Sequence, residues 1–493
     1  MAKNRITQTF AVNSTWVCPA GVTSVDVQVR QQAPFQVNRS GGSGYWTGFN
    51  DVYENAWNWG DNIKGELGTG DSTSRSSPTL VVGGLRFRKV VSSTDVNFPH
   101  TMGLDVTGNL YAWGINTNGQ LGDGTTTAKS SPVLVVGGLK WADCMVMSDA
   151  FGSNSFGIAE NGDMYSWGRN GFGCGGDNST TPKSSPVLVV GGLKWKSFSI
   201  NTTSTVIAMN TSGSTYSWGL GTSGQLGNNT SSAASSPTLV VGGLIFKKIV
   251  NAGLVSAGIT ADNKLYMWGS NGNGNLGDGT AVSKSSPVLV AGGLTWKDVS
   301  VTNGATTLGV TTSGALYGWG LNPVGNGTNT KFSSPVLVTG VSNVVQVGAT
   351  VLSANYALTA SGQLYAWGTG QAALGVGDLN DRSSPVLVVG GLTFQRFTFE
   401  SNKACGISTN GNLYCWGNND QGQLGDGTTT GRSSPVAVVG SGNINPAPRI
   451  AVKTFSVTPG QSYAIQFQQL SVFFGLEAVS YGPYDDLTLS YDA

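Results

Sequence analysis

The sequence predicts an all-β protein: a β-propeller of seven to eight four-stranded blades, plus a small β-sandwich-like domain formed by both chain ends. Three observations predict this. The pattern Tyr/Trp-x-Trp-Gly, or a close variant, occurs eight times, ending at Trp59-Gly60, Trp113-Gly114, Trp167-Gly168, Trp218-Gly219, Trp268-Gly269, Trp319-Gly320, Trp367-Gly368 and Trp416-Gly417, with successive tryptophans 48 to 54 residues apart. A second marker, Ser-Ser-Pro, follows each copy in phase, ending at Pro78, Pro132, Pro186, Pro237, Pro287, Pro335, Pro385 and Pro435. Periods of this length mark solenoids, propellers or arrays. Third, 73 of 493 residues are Gly while Trp is abundant at 14, which suits tight turns between packed strands and not disorder, since disordered chains lack aromatics.

The second unit shows the elements in order. Phe87-Arg88-Lys89-Val90-Val91 reads as a first strand and Thr101 to Val106 as a second. Thr107-Gly108-Asn109 is a turn, and Leu110-Tyr111-Ala112-Trp113 a third strand. A Gly-rich loop from Asn118 to Gly124 leads to a fourth strand, Pro132 to Val136, and Gly137-Gly138 turns into the next unit. Four short strands with turn residues between them make one meander. Side chains alternate along a strand, so Tyr111 and Trp113 share one face and Leu110 and Ala112 the other. One face carries bulk and the other leaves room for it. Stacking such sheets radially gives a propeller, with the eight repeat tryptophans as its structural core. The Pro ahead of the fourth strand fits an outer edge, where a missing N–H is tolerated. A linear solenoid would need capping repeats at both ends, and none is evident. The domain limits are 1–33 and 449–493 for the terminal halves and 34–448 for the propeller.

A turn Gly, then Leu-Tyr-x-Trp-Gly, then Gly-Gln-Leu-Gly, then a Pro-led strand resembles the repeat family named after the regulator of chromosome condensation. The resemblance covers about residues 34 to 440. It implies a propeller, usually of seven blades; eight units mean an eight-bladed ring or one irregular unit. Unit one departs most, with Trp57-Asn58-Trp59-Gly60 in place of the Tyr form.

Outside the repeats, Ile6 to Val29 and Ile450 to Phe467 alternate as half-buried strands do. Neither end has strands enough for a stable sheet alone, so the two are expected to pair. Trp16-Val17-Cys18-Pro19-Ala20-Gly21-Val22-Thr23-Ser24-Val25 and Val457-Thr458-Pro459-Gly460-Gln461-Ser462-Tyr463 resemble the glycine-rich β-domain of bacteriophage tail-fibre and other virion proteins. That resemblance implies a non-enzymatic virion structural protein of a tailed phage, made in the host cytoplasm and exposed on the particle. Its role would be assembly or host recognition, as a tail-fibre-like or capsid-decoration protein. The implied partners are other virion proteins and a host-surface glycan or protein receptor, with a homo-oligomer, a trimer, as in fibre-like proteins. The alternative is a soluble protein-interaction module or nucleotide-exchange factor of the chromosome-condensation type, which predicts charged arms or a strongly charged face.

Composition and spacing exclude other classes. Net charge is +1 and only 11% of residues are charged, so no nucleic-acid footprint is expected. No run of ~18 apolar residues suggests a membrane span, and Met1 to Arg5 does not lead into a signal-peptide core. With one histidine, His100, read as a solvated loop residue, triad catalysis and multi-His metal sites lack material. Hence no catalytic residue, cofactor or metal is expected. Gly-x-Gly-x-x-Gly at Gly171, Gly219 and Gly272 precedes no helix and is set aside. Asp123, Asp278 and Asp426 in Gly-Asp-Gly-Thr loops supply one carboxylate each, too few for calcium; they are expected to bond their own turns. Scattered Asn-x-Ser/Thr strings have no secretion signal behind them. Cys405 and Cys415 flank the Asn410-Gly411 turn; a disulfide there is open, with two free thiols the default. Departures from the repeat mark candidate contact loops: Cys174 and Gly175 in unit three, Pro323 and Val324 in unit six, Ala372 and Ala373 in unit seven.

Overall fold

The computed structural model describes residues 55–93, 97–149, 152–200, 203–302, 306–321, 323–350, 354–370, 374–400 and 402–440, together with the backbone of the strands nearer the chain ends. The chain divides into two units, Met1–Gln36 with Asn445–Ala493, and Val37–Ile444. In the first, strands from the two ends pair with one another. Ser24–Gln31 lies between Arg449–Ser456 and Asp486–Asp492, and Arg5–Phe10 flanks the latter. A second sheet runs Ser14–Val17, Ser462–Gln468, Ser471–Phe474, Glu477–Ser480.

The second unit is a β-propeller, and among the described residues every regular element is a strand. Seven sheets have four antiparallel strands in chain order, and an eighth, from unit one, has three. The strands of unit two are Phe87–Ser92, His100–Asp105, Leu110–Gly114 and Lys129–Leu134. Those of unit one are Tyr45–Asn50, Ala56–Gly60 and Arg75–Leu80, matching the second to fourth positions of the other sheets. First strands of neighbouring units lie against one another, which sets them around the axis. In units two to eight the second strands are buried throughout; the fourth strands are half-buried, and those of units one to seven end in an exposed Leu such as Leu134.

The fourth strand differs from the sequence reading. Ser-Ser-Pro lies inside it, not ahead of it, and the pairing register of Lys129 and Val133 shifts across Pro132. A bulge on an edge strand is where a residue without an N–H costs the ladder least.

The sheets stack aromatic face on small-residue face. Phe87, Val90 and Trp113 of unit two bury against Ala56 and Val81 of unit one. Met102, Leu110 and Ala112 of unit two bury against Trp141 and Trp167 of unit three. In unit three the rings meet edge-on or tilted, Trp141 on Tyr165 and Trp167 at 5.6 and 5.7 Å, an arrangement their quadrupoles favour, while in unit five Phe246 stacks on Trp268 at 5.8 Å.

Hydrogen bonds clasp the stacked pairs. Trp113 Nε1 donates to the carbonyl of Glu66 at 2.9 Å, Trp167 to Gln120 at 3.0 Å and Trp218 to Cys174 at 2.8 Å. Trp268 donates to Gln225 and Trp319 to Asn275, both at 3.0 Å. In four cases a hydroxyl from the adjacent second strand shares the same carbonyl, as Ser155 does on Gln120. Trp59 of unit one donates to Gln423 of unit eight at 3.0 Å. That bond makes the ring eight units round. The close approach explains the Gly after each Leu in these loops. At Gly122, φ is +67° and a Cβ would stand 2.5 Å from Trp167 Nε1.

Candidate functional site

The loops joining third to fourth strands leave every sheet at the same end and form one face of the ring. Each is built on the residue two past Trp-Gly. Asn116 is fully buried. Its Nδ2 donates to Asp123 Oδ1 and to the carbonyls of Thr125 and Thr127, all at 3.1 Å, and its Oδ1 accepts from Leu121 N at 3.0 Å. Asn271 and Asn419 make the same set, and Asn62 makes it with Thr69 Oγ1 in the place of the Asp123 carboxylate. One carboxamide thus replaces the hydrogen bonds that an irregular buried loop cannot make for itself. The sequence reading did not single out this Asn, although Trp-Gly-x-Asn recurs in six of the eight units. In units four and seven Gly221 and Gly370 stand there, and the loop backbone fills the place: a Cβ would lie 2.1 Å from the Ser232 carbonyl and 2.2 Å from that of Leu379. Asn116→Ala should cost about 2–3 kcal/mol, since it strands a buried N–H and two carbonyls. Urea denaturation of the variant beside wild type checks this; a loss under about 0.5 kcal/mol, the level of an ordinary surface change, would mean that the loop holds itself.

The Gly-Asp-Gly-Thr carboxylates serve the same loops. Asp278 Oδ1 accepts from Thr280 N and Oγ1, and Oδ2 lies 3.5 Å from Lys284. Burial opposes charge on Asp278 and Asp426, but hydrogen bonds from Thr and Asn neighbours, with Lys284 or Arg432, hold both carboxyls below their ordinary value. Asp123 bonds Thr125 in the same way.

The departures singled out as contact loops sit differently. Cys174 and Val324 are buried, with 1% and 0% of their surface exposed, and Gly175 is buried. Their side chains are therefore corrected from contact residues to internal packing. Cys174 still lends its carbonyl to Trp218, and Gly175 N reaches Asn170 Oδ1 at 2.7 Å. Pro323 is half-buried, and its carbonyl accepts from Asn355 Nδ2. Ala372 and Ala373 lie outside the described residues. What this face does expose is apolar side chains at four loops: Ile63 (61%), Val282 (63%), Leu321 (40%) and Leu379 (64%).

His100 is also corrected. It begins a second strand and is fully buried, not solvated in a loop. Its Nε2 lies 2.9 Å from Ser155 Oγ, whose proton goes to the Gln120 carbonyl, so Nε2 is the donor. Burial pushes this imidazole down to about 3. The Glu66 carboxyl, whose Oε2 accepts from Lys64 N at 2.8 Å, is pushed up to about 7 by burial. At pH 7 the imidazole is therefore neutral and the Glu66 carboxyl lies near its midpoint.

Cys405 and Cys415 face each other across the hairpin and are bonded, in place of the two free thiols expected by default. Proteolysis without reductant should release their two peptides as one linked species that separates on reduction. Two peptides each alkylated without prior reduction would refute the bond.

Among the described residues, no group of three or more His, Cys, Asp or Glu could hold a metal ion, and no helix is long and apolar enough to cross a membrane.

Comparison with known proteins bears on this geometry. The family described as RCC1-like domain matches residues 55–407, and that described as regulator of chromosome condensation (RCC1) repeat matches 410–452. Human E3 ubiquitin-protein ligase HERC2 is 31% identical over 216 residues, 41% of this chain and 4% of that protein. Arabidopsis thaliana ultraviolet-B receptor UVR8 is 29% identical over 184 residues, 36% of this chain and 39% of the receptor. The chain thus spans well under half the length of these curated relatives. Among solved structures, human WBSCR16 superposes with a TM-score of 0.55 at 18% identity, over 72% of this chain and 100% of that one. Saccharomyces cerevisiae Prp20p does so with a TM-score of 0.50 at 20% identity, over 75% and 93%.

Proposed function

The chain belongs to the family of RCC1-like domains, and from that premise we propose that it is a non-catalytic protein-interaction module. The observation that carries this is the loop face. A ring held by buried Asn and Trp hydrogen bonds presents exposed apolar side chains at Ile63, Val282, Leu321 and Leu379. Exposed apolar groups on a rigid frame lose little ordering entropy on contact and suit a folded protein partner. Prp20p has binding properties toward Gsp1p and histones; for this chain the corresponding reading is a protein docked on one side of the ring.

The test replaces Ile63, Val282 and Leu379 together by Ser. These side chains are solvent-exposed, so the fold should keep its circular dichroism and melting curve. A protein captured from a host extract by wild type and lost with the triple variant supports the module. A set of captured proteins identical for both overturns this face as the site.

A finer reading keeps the chain on a virion. It rests on the terminal unit, where both ends share two sheets, and on its Pro-Ala-Gly-Val-Thr-Ser-Val and Val-Thr-Pro-Gly-Gln-Ser-Tyr strings. Immunogold labelling of purified particles tests it: gold on tail or head supports it, and bare particles remove it.

A further inference from the structure

We propose that the end of the propeller opposite the loop face binds an acidic polysaccharide, through a row of three lysines on units four, five and six. Lys196, Lys247 and Lys297 follow Trp195, Phe246 and Trp296 at the start of the first strands. In each case the ring is buried and the lysine exposed. The same place carries Ala142 in unit three, Val345 in unit seven and Gln395 in unit eight. In unit two it is Arg88, whose guanidinium is turned onto the carbonyl of Trp141. The row is thus confined to one arc of the ring.

These charges stand out because the cations that recur on the loop face are matched. There Lys129 lies 4.0 Å from Asp123, Lys183 3.6 Å from Asp177, Lys284 3.5 Å from Asp278 and Arg432 2.8 Å from Asp426. At the opposite end Asp163, Asp262 and Asp298 are taken by Lys194, Lys264 and Lys248. Glu160 lies beside Lys140 on unit three, off the row. Among the described residues Lys196, Lys247 and Lys297 pair with no carboxylate, and Lys247 reaches the Asn263 carboxamide instead.

Equivalent places on stacked sheets are roughly 10 Å apart. That exceeds the screening length of about 8 Å at physiological salt, so the three ammonium groups repel one another little. They act together only on an anion long enough to span them. Duplex nucleic acid carries a charge every ~1.7 Å of its axis, far denser than the row. A polysaccharide with a carboxylate on every sugar, or on every second one, spaces its charges more nearly to match. The rings that would stack an unpaired base are buried. An acidic peptide would need a strand edge for its backbone, and this end of the sheets offers turns.

Those turns suit sugar hydroxyls. Thr211 N donates to the Lys194 carbonyl and Thr312 N to that of Thr295, which holds the turns between second and third strands against the strands that carry the lysines. The turns expose Thr211, Ser212, Thr312 and Ser313, whose hydroxyls both donate and accept. The surface is independent of the loop-face reading and stands or falls without it.

The test is equilibrium binding of the full chain to polygalacturonate and to hyaluronate at low salt. One or both should bind, neutral dextran should not, and the affinity should fall as salt is raised. Replacing Lys196, Lys247 and Lys297 together by Gln should weaken it about tenfold or more while the melting curve stays in place. Lys297→Gln alone should weaken it in part, and serves as the reporter if the triple variant fails to fold. Lys331→Gln, which removes an exposed cation of the loop face, should change nothing. Duplex DNA or polyglutamate binding tighter than either polysaccharide at equal salt overturns the proposal. So does silence from both polysaccharides, or binding that the lysine variants leave intact.

Discussion

Trp59→Ala should destabilise the propeller by about 3–5 kcal/mol, the range for deleting a large buried aromatic. Trp59 has 2% of its surface exposed, and its Nε1 holds the carbonyl of Gln423, 364 residues away. The change opens a cavity at the one seam where unit eight meets unit one. The internal control is Trp367, which is fully buried but whose Nε1 has no partner. Unit six departs from the others here: its stretch from Trp319 to Pro335 is three residues shorter than that from Trp113 to Pro132, and the carbonyl at the corresponding place, that of Pro323, accepts from Asn355 Nδ2 at 3.0 Å. Trp→Phe substitution therefore removes a satisfied donor at Trp113 and an orphaned one at Trp367. Trp113→Phe should cost about 1–2 kcal/mol more than Trp367→Phe. Guanidinium unfolding of the two variants decides it. Equal losses would mean that the clasps contribute nothing and that packing alone closes the ring.

The second large effect is on the pH dependence of stability. His100 is held near 3 against an ordinary 6.5. As pH falls below 6.5 the unfolded chain takes a proton that the folded chain refuses. Stability is then lost continuously down to about pH 3, by on the order of 5 kcal/mol in all. Glu66, raised to about 7 from 4.5, acts with the opposite sign. Its folded form binds a proton between pH 7 and 4.5 that the unfolded chain does not, so stability rises as pH falls, by about 3 kcal/mol. Between pH 6.5 and 4.5 the two slopes oppose, and wild type should show a plateau. Glu66→Gln, the residue at the same place in Gln120, Gln225 and Gln423, should uncover a steady decline from pH 6.5 downward. His100→Asn, with Asn154 as its counterpart in unit three, should make the protein more stable at pH 5 than at pH 8. Urea unfolding from pH 4.5 to 8 reads both. Parallel profiles for wild type and Glu66→Gln would show that Glu66 is ionised in the fold.

The propeller was legible because its determinants are large, periodic and local. Trp and Gly recur at a fixed place in each unit, and the alternation of Tyr111 and Trp113 against Leu110 and Ala112 states which faces meet. The loops were less legible for a physical reason. Asn116 is a small polar residue of a kind common in any exposed turn, and only its burial shows that it carries the loop. His100 reads as a loop residue because it stands just before the strand read from Thr101, yet the strand begins at His100 itself. Cys174 and Val324 break the repeat pattern, which looks like a surface graft; in three dimensions they fill space from which a longer side chain is missing.

The bond from Trp59 to Gln423 also has a consequence in time. Synthesis proceeds from the first unit to the last, so units one to seven can stack as they leave the ribosome, each on the one before. Trp59 has no carbonyl to hold until unit eight is made. For most of translation the nascent chain is an open arc with one aromatic face uncovered at its leading edge. That face is an aggregation hazard of the kind incomplete folding intermediates share, and a stop codon anywhere before Gln423 makes it permanent.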